Sequence, residues 1–250
     1  MKKTAICFSI ALLAVMTTFF SCVPQPVPFL GGGAIVVNFI PVFEGEIVEL
    51  RNVNASEHTL NGRKITFSDF KFYLSNIVLR DENGDFTDLS EIKLIDLTSQ
   101  TSSNLRIQNI PLGVYQSIQF DIGVPPSENT DTFDPNRYGG THPLNNEIMH
   151  DQGLSSYKFL VLEGNIGEGT ELKTFTYGPG DNELFQNDKV IDSSFSLTDE
   201  LDISIDIEVD LKMVLKNIDI LTDLRITPAN NLELGDDLIS NLRGAIREKF

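Results

Sequence analysis

Residues Leu201–Leu215 read LDISIDIEVDLKMVL, and their alternation decides the fold class. Leu201, Ile203, Ile205, Ile207, Val209, Leu211, Met213 and Leu215 fall on one side of an extended chain. Asp202, Ser204, Asp206, Glu208, Asp210 and Lys212 fall on the other. A period of two over this length is what a strand with one buried and one wet face requires. The acidic side reads as a solvated face that discourages edge pairing rather than as a collector of cations.

The rest of the chain repeats the pattern. Ala34–Phe43, Lys64–Arg80, Val114–Phe120, Tyr157–Glu163 and Glu171–Tyr177 are strand candidates, rich in β-branched and aromatic residues. Phe70, Phe72 and Leu74 share one face. Asp81-Glu82-Asn83-Gly84-Asp85 lies between Ile77-Val78-Leu79 and Ile92–Ile95. Asn-Gly between apolar runs predicts a hairpin, because both residues tolerate positive φ. Asp81, Asn83 and Asp85 also match the start of a calcium loop, but Phe86 and Ile92 stand where that loop needs Gly and Glu. Pro111-Leu112-Gly113 supplies another turn. Many short strands joined by turns point to a sandwich or a barrel. Near the end, Leu238, Leu242 and Ile246 recur at four, with Ile239 and Ala245 beside them. This predicts one amphipathic helix from Asp236, capped by Asp236 or Asp237.

The N-terminus reads as an export signal. Lys2 and Lys3 precede an uncharged apolar run from Ala5 to Phe20, followed by Ser21-Cys22. A small residue before Cys at this point matches a lipobox, which makes Cys22 the acylated N-terminus of the mature chain. The alternative is an ordinary secretory signal. Cys7 lies inside the signal, so the mature chain carries one thiol at most and no internal disulfide. Residues 23–33, VPQPVPFLGGG, cannot pack and read as a tether. The expected organisation is a signal at 1–21, a lipidated Cys and tether at 22–33, and one domain at 34–250. The expected location is the cell envelope, anchored by lipid in the outer membrane and facing the periplasm.

Composition excludes some roles. Removing the two signal lysines takes the net charge from −17 to −19. Such acidity opposes nucleic-acid binding, which needs basic contacts to phosphate. The chain contains no Trp, and its three histidines are His58, His142 and His150. Pro125–Ser156 is long, polar and without strand pattern, and it holds two of those histidines. Loops of this length in compact domains are functional or disordered. There is no Gly-x-Ser-x-Gly, His-Glu-x-x-His or phosphate-binding glycine loop. The sequence therefore predicts a protein that is not an enzyme.

Several segments carry a family resemblance. They are Phe70-Lys71-Phe72-Tyr73-Leu74-Ser75-Asn76-Ile77, then Ile110-Pro111-Leu112-Gly113-Val114-Tyr115 with Ile118, Phe120, Ile122, Gly123 and Val124. Glu128-Asn129, His142-Pro143-Leu144, Met149, Tyr157-Lys158-Phe159-Leu160, Leu162-Glu163-Gly164 and Tyr177-Gly178 follow in order. Together they resemble the MbnP-like family, named for a copper-binding periplasmic protein and common as lipoproteins in Bacteroidetes-type bacteria. The resemblance spans most of residues 34–250. It implies an Ig-like antiparallel β-sandwich with, here, one C-terminal amphipathic helix. It also implies copper held by histidines near an aromatic-rich loop. The partners implied are a di-haem peroxidase-like protein, which can oxidise a loop tryptophan, or an outer-membrane transporter.

The chain departs from the pattern at the metal. Asp151 and Gly153 occupy the positions of two tryptophans. Tyr177-Gly178-Pro179-Gly180 lacks the family's His, as does Thr227-Pro228-Ala229-Asn230. The candidate metal ligands that remain are His142, Met149 and His150. Imidazole with thioether suits Cu(I). The bland alternative is that His142 bonds within its own loop and His150 is exposed. Two function classes stay open. One is a membrane-anchored periplasmic binding module that handles copper. The other is a structural or protein-interaction lipoprotein that has lost the metal site.

Overall fold

The computed structural model describes residues 32–50, 56–89, 91–99, 103–130, 135–152, 156–199, 202–228 and 230–249. The expected signal at 1–21, Cys22 and the expected tether up to residue 31 lie outside the described residues. The strands are, in chain order, β1 Gly33–Phe43, β2 Glu46–Ile47, β3 His58–Leu60, β4 Arg63–Asp81, β5 Phe86–Asp88 and β6 Lys93–Asp96. Then come β7 Asn104–Ile110, β8 Gly113–Ile122, β9 His150–Asp151, β10 Ser156–Tyr157, β11 Leu160–Ile166, β12 Lys173–Tyr177 and β13 Gln186–Leu197. The chain ends with β14 Ile203–Asp210, α1 Leu211–Val214, β15 Arg225–Ile226, α2 Leu232–Ala245 and β16 Ile246–Glu248.

Two sheets form a sandwich. The first runs β16-β14-β1-β2, with β7 also on β1; the second runs β13-β8-β4-β11-β12-β15, with β3, β5 and β6 also on β4. Their inner faces meet through aromatic rings. Phe39 meets Phe72 edge-on at 5.8 Å, and Phe43 meets Phe67 at 6.0 Å. Buried Ile205, Ile207 and Val209 face the same core from β14. Each such side chain contributes about 1.5–3 kcal/mol by leaving water. The all-β sandwich is therefore as expected, but it is not wholly antiparallel: β1 pairs with β14, and β12 with β15, in parallel. Parallel neighbours need a long crossover, and every strand of the second sheet except β15 lies in sequence between β1 and β14.

The deciding stretch is a strand only to Asp210 (Leu201 itself lies outside the described residues). The Asp210 carboxylate accepts from the Lys212 and Met213 amides at 3.0 and 3.3 Å and starts the single helical turn α1. Leu211 and Leu215 cannot reveal this change, because positions four apart share a side in both a strand and a helix. Burial does reveal it: Val214 is buried while Met213 is only half-buried. Nor is β14 an edge, since it sits between β1 and β16. Its acidic face is matched by partners: Arg106 for Asp202, Asn38 for Asp206, and Arg247 for Glu208 and Asp210.

The C-terminal helix is present but starts earlier than expected. It begins after Asn231, which has a left-handed φ of 53° and makes no side-chain capping bond. Asp236 and Asp237 are thus interior residues, not caps. Buried Leu238, Ile239, Leu242 and Ala245 form its inner face, and Ile246 opens β16 instead of ending the helix. Asn83-Gly84 does turn a hairpin, with Gly84 at φ 87° and the Asp81 carboxylate accepting from the amides of Asn83 and Asp85. The returning strand is β5; residues 93–96 pair farther back on β4. The Pro111–Gly113 turn leads from β7 in the first sheet to β8 in the second.

Candidate functional site

The 19-residue β4 organises the site. Phe72 pairs with Leu160 and with Ile95, and Leu74 pairs with Ile122 and with Lys93. One edge of β4 therefore passes from β8 to β11 around Tyr73. The Tyr73 amide donates to Phe159 O, and the Gly123 amide donates to Tyr73 O, both at 3.0 Å. The long loop leaves where those two strands part. Gly123 makes the departure with φ 110°, and a Cβ there would lie 2.5 Å from the Phe159 ring.

The described residues of the loop, 123–130, 135–152 and 156–159, are tied to one another and to the sheet. The Tyr73 hydroxyl donates to Pro143 O and the Tyr157 hydroxyl to Leu144 O, each at 3.0 Å. Asn129 accepts from the Tyr157 amide at 2.9 Å and donates to Asn182 Oδ1 at 2.9 Å. Ser156 Oγ donates to Gly180 O at 3.1 Å, and the Phe159 amide to Pro179 O at 2.8 Å. Lys158 ties the other side, its amide to Met149 O at 2.7 Å and its Nζ to Ile148 O at 2.9 Å. The Asn146 carboxamide caps the short turn Glu147–Met149. The loop thus contains two short 3-10 turns and the β9–β10 pair, where the sequence shows no strand pattern.

The three candidate ligands have separate surroundings. His142 is exposed and stacks on Tyr138, ring centroids 4.2 Å apart at 14°. Its Nδ1 accepts from the Leu144 amide at 3.1 Å, which leaves Nε2 for any outside ligand. Tyr138 donates to Glu128, and burial together with that carboxylate pushes its phenol pKa up to about 12. Met149 is fully buried. His150 is buried too, against Tyr157 at 5.0 Å, and is not the exposed residue of the bland expectation. Each imidazole rests on its own tyrosine rather than facing a common centre. No group of three or more His, Cys, Asp or Glu able to hold a metal ion occurs among the described residues. As folded, the donor set does not fit a preformed copper centre.

Two features escaped the sequence reading. The third histidine, His58, is buried and lies on Phe43 at 4.8 Å, and its Nε2 has no hydrogen-bond partner among the described residues. Burial holds its pKa below the usual imidazole value, partly offset by Glu46 and Glu44. Lys71, in the motif beside Tyr73, is a buried cation paired with Asp69 and, at 3.6 Å, with Asp96. The only signal for Lys71 was a charge at odds with a near-continuous apolar run, and His58 carried none. The roles of Tyr73, Tyr157 and Asn129 also had no sequence signal beyond their places in motifs.

The fold and the loop define the class: a β-sandwich that carries one structured loop at the point where two strands part. The chain belongs to the MbnP family, whose sequence model matches residues 32–232. The solved structure of MbnP from Methylosinus trichosporium is similar at a TM-score of 0.52 and 12% identity, over 75% of this chain and 78% of that one. That likeness shows a shared fold. No curated protein matches the chain significantly. Residues from several of the motifs that carry the family resemblance, remote in sequence, meet at the loop: Tyr73, Gly123, Asn129, His142-Pro143-Leu144 and Tyr157.

Proposed function

We propose that this chain is a lipid-anchored, periplasm-facing binding module of the MbnP family, without catalytic chemistry of its own, and that loop 123–159 is its recognition surface. The observation that carries this reading is that residues from several family motifs converge on that loop. Two tyrosine hydroxyls and an asparagine carboxamide tie its described residues in place. A surface fixed in advance binds without first losing the entropy of an ordered loop. Cys22 supplies the anchor, because Ser21-Cys22 follows an apolar export signal. No helix of the described residues is long and apolar enough to cross a membrane.

Copper(I) is the metal cargo this reading names, through His142, Met149 and His150. Thioether and imidazole are soft enough for it. Because Met149 and His150 are buried, binding through them requires the β9–β10 pair to open. A partner oxidase would find no tryptophan here, since the chain contains none. The burial of these two donors favours the second reading, a protein-interaction lipoprotein without metal. One titration separates the two. The full chain is purified in detergent and its Cu(I) affinity measured by competition with a chromogenic chelator, then repeated for His142→Ala and His150→Ala. Saturable binding weakened in both variants supports cargo binding. Binding unchanged in both eliminates the loop as the copper site, and no binding at all supports the interaction module.

A further inference from the structure

From the chain's entry into the sandwich we infer that the pole at Gly33 docks directly on a neutral lipid surface through Leu112, Val114 and Phe86. The inference rests on the proposed anchor at Cys22. Gly33 opens β1 and pairs with Ile110, directly before the β7–β8 turn. Its Cα approaches Leu197 so closely that a Cβ would sit 2.4 Å from Leu197 Cγ. Leu197 in turn pairs with Gly113, and Ser196 with Val114. The hairpin after β4 reaches the same pole, because the Glu82 amide donates to Val114 O at 3.2 Å and Phe86 pairs with Arg80.

Three large apolar side chains stand exposed there: Leu112 at 45%, Val114 at 38% and Phe86 at 59%. Apolar tips left in water at one pole mark an interaction surface. The chain itself says which surface is nearest. Only ten residues lie between Cys22 and Gly33, and the eleven steps from one to the other reach about 36 Å when fully extended. A lipid on Cys22 therefore keeps this pole, where the chain enters the sandwich, within that reach of the bilayer. The guanidinium of Arg80 lies over Phe86 at 5.9 Å, which sets one cation able to meet a headgroup phosphate beside the exposed ring. Exposed Glu82, Asp85 and Asp88 at the same hairpin select a zwitterionic surface over an anionic one.

The absence of Trp makes the test free of background. The full, acylated chain is reconstituted in phosphatidylcholine vesicles as Leu112→Trp, with Val114→Trp as a second reporter. Ile47→Trp is the control: it is exposed at 62% and pairs with Val42 at the far end of β1, about 30 Å away along the strand. The expected result is a blue-shifted emission at 112 and 114 that brominated lipid quenches, with neither effect at 47. Vesicle flotation reads the anchor separately. Chain that floats while position 112 behaves like position 47 overturns the docking and leaves the anchor standing. Chain that fails to float overturns both. A blue shift at 112 that brominated lipid leaves unquenched means a protein surface covers the patch, which also overturns lipid docking.

Discussion

Tyr73 and Tyr157 meet edge to face, ring centroids 6.1 Å apart, and their hydroxyls hold adjacent carbonyls of one turn, Pro143 and Leu144. One tyrosine belongs to the central strand and the other to the loop's returning limb. The pair therefore fixes the loop to the sheet.

Replacing either tyrosine by Phe keeps the ring contact and strands one carbonyl. Each single change should cost about 1–2 kcal/mol, a fall in Tm of roughly 2–8 °C for a domain of this size. The double variant should depart from additivity, because both bonds order the same turn. Thermal unfolding of the four proteins checks this, and strictly additive losses would show that the two hydroxyls act independently.

Gly180 lies where a Cβ would sit 1.9 Å from Tyr157 O, against backbone that cannot swing aside. Gly180→Ala should push the Ser156–Tyr157 limb off Asn129 and cost about 1–3 kcal/mol by overpacking. Limited proteolysis should cut the loop faster in this variant than in Gly139→Ala, where a Cβ meets open space. Equal cutting would refute the role given to Gly180.

Lys71→Met should leave Asp69 buried beside an uncharged side chain and cost about 3–5 kcal/mol. Adding Asp69→Asn to Lys71→Met should recover part of that loss, since the orphaned charge is then gone. Urea unfolding of the cycle tests it. A double variant as unstable as the sum of the singles would show no coupling within the pair.

Acid and alkaline limits follow from burial. Burial lowers the His58 pKa in the fold, while the unfolded chain takes up its proton below about pH 6.5. Its contribution is present above that pH and lost as pH falls through the lowered folded value. The stability difference between pH 7.5 and pH 5 should therefore shrink in His58→Phe, which keeps the contact with Phe43. An unchanged difference would remove His58 from the account.

At the other limit, burial raises the phenol pKa of Tyr73, Tyr115, Tyr138 and Tyr177. The fold keeps protons that the unfolded chain releases near pH 10, so stability is full below that pH and declines above it. Phenolate absorbance should rise together with loss of near-ultraviolet dichroism. Phenolate appearing well before unfolding would contradict the buried hydroxyls.

How much of this was legible in the sequence differs by element. Alternation from Ile203 to Asp210 gave the sandwich, and spacing at Leu238 and Leu242 gave the terminal helix, because both signals are local and periodic. Alternation could not show that β1 and β14 run parallel, since the side-chain period is the same in either direction. Nor could it place the break at Asp210, because Leu211 and Leu215 satisfy both periods.

The site was legible as a list of motif residues and not as an arrangement. Sequence by itself determined the all-β class, the acidic charge, the absence of Trp and the motif residues that mark the family. Only tertiary structure decided that Tyr73 and Tyr157 pin one turn, that His150 is buried, and that His142 rests on a different tyrosine. Those facts depend on contacts between segments far apart in the chain, such as Tyr73 and Pro143. No local pattern encodes a contact whose two halves fold from separate strands.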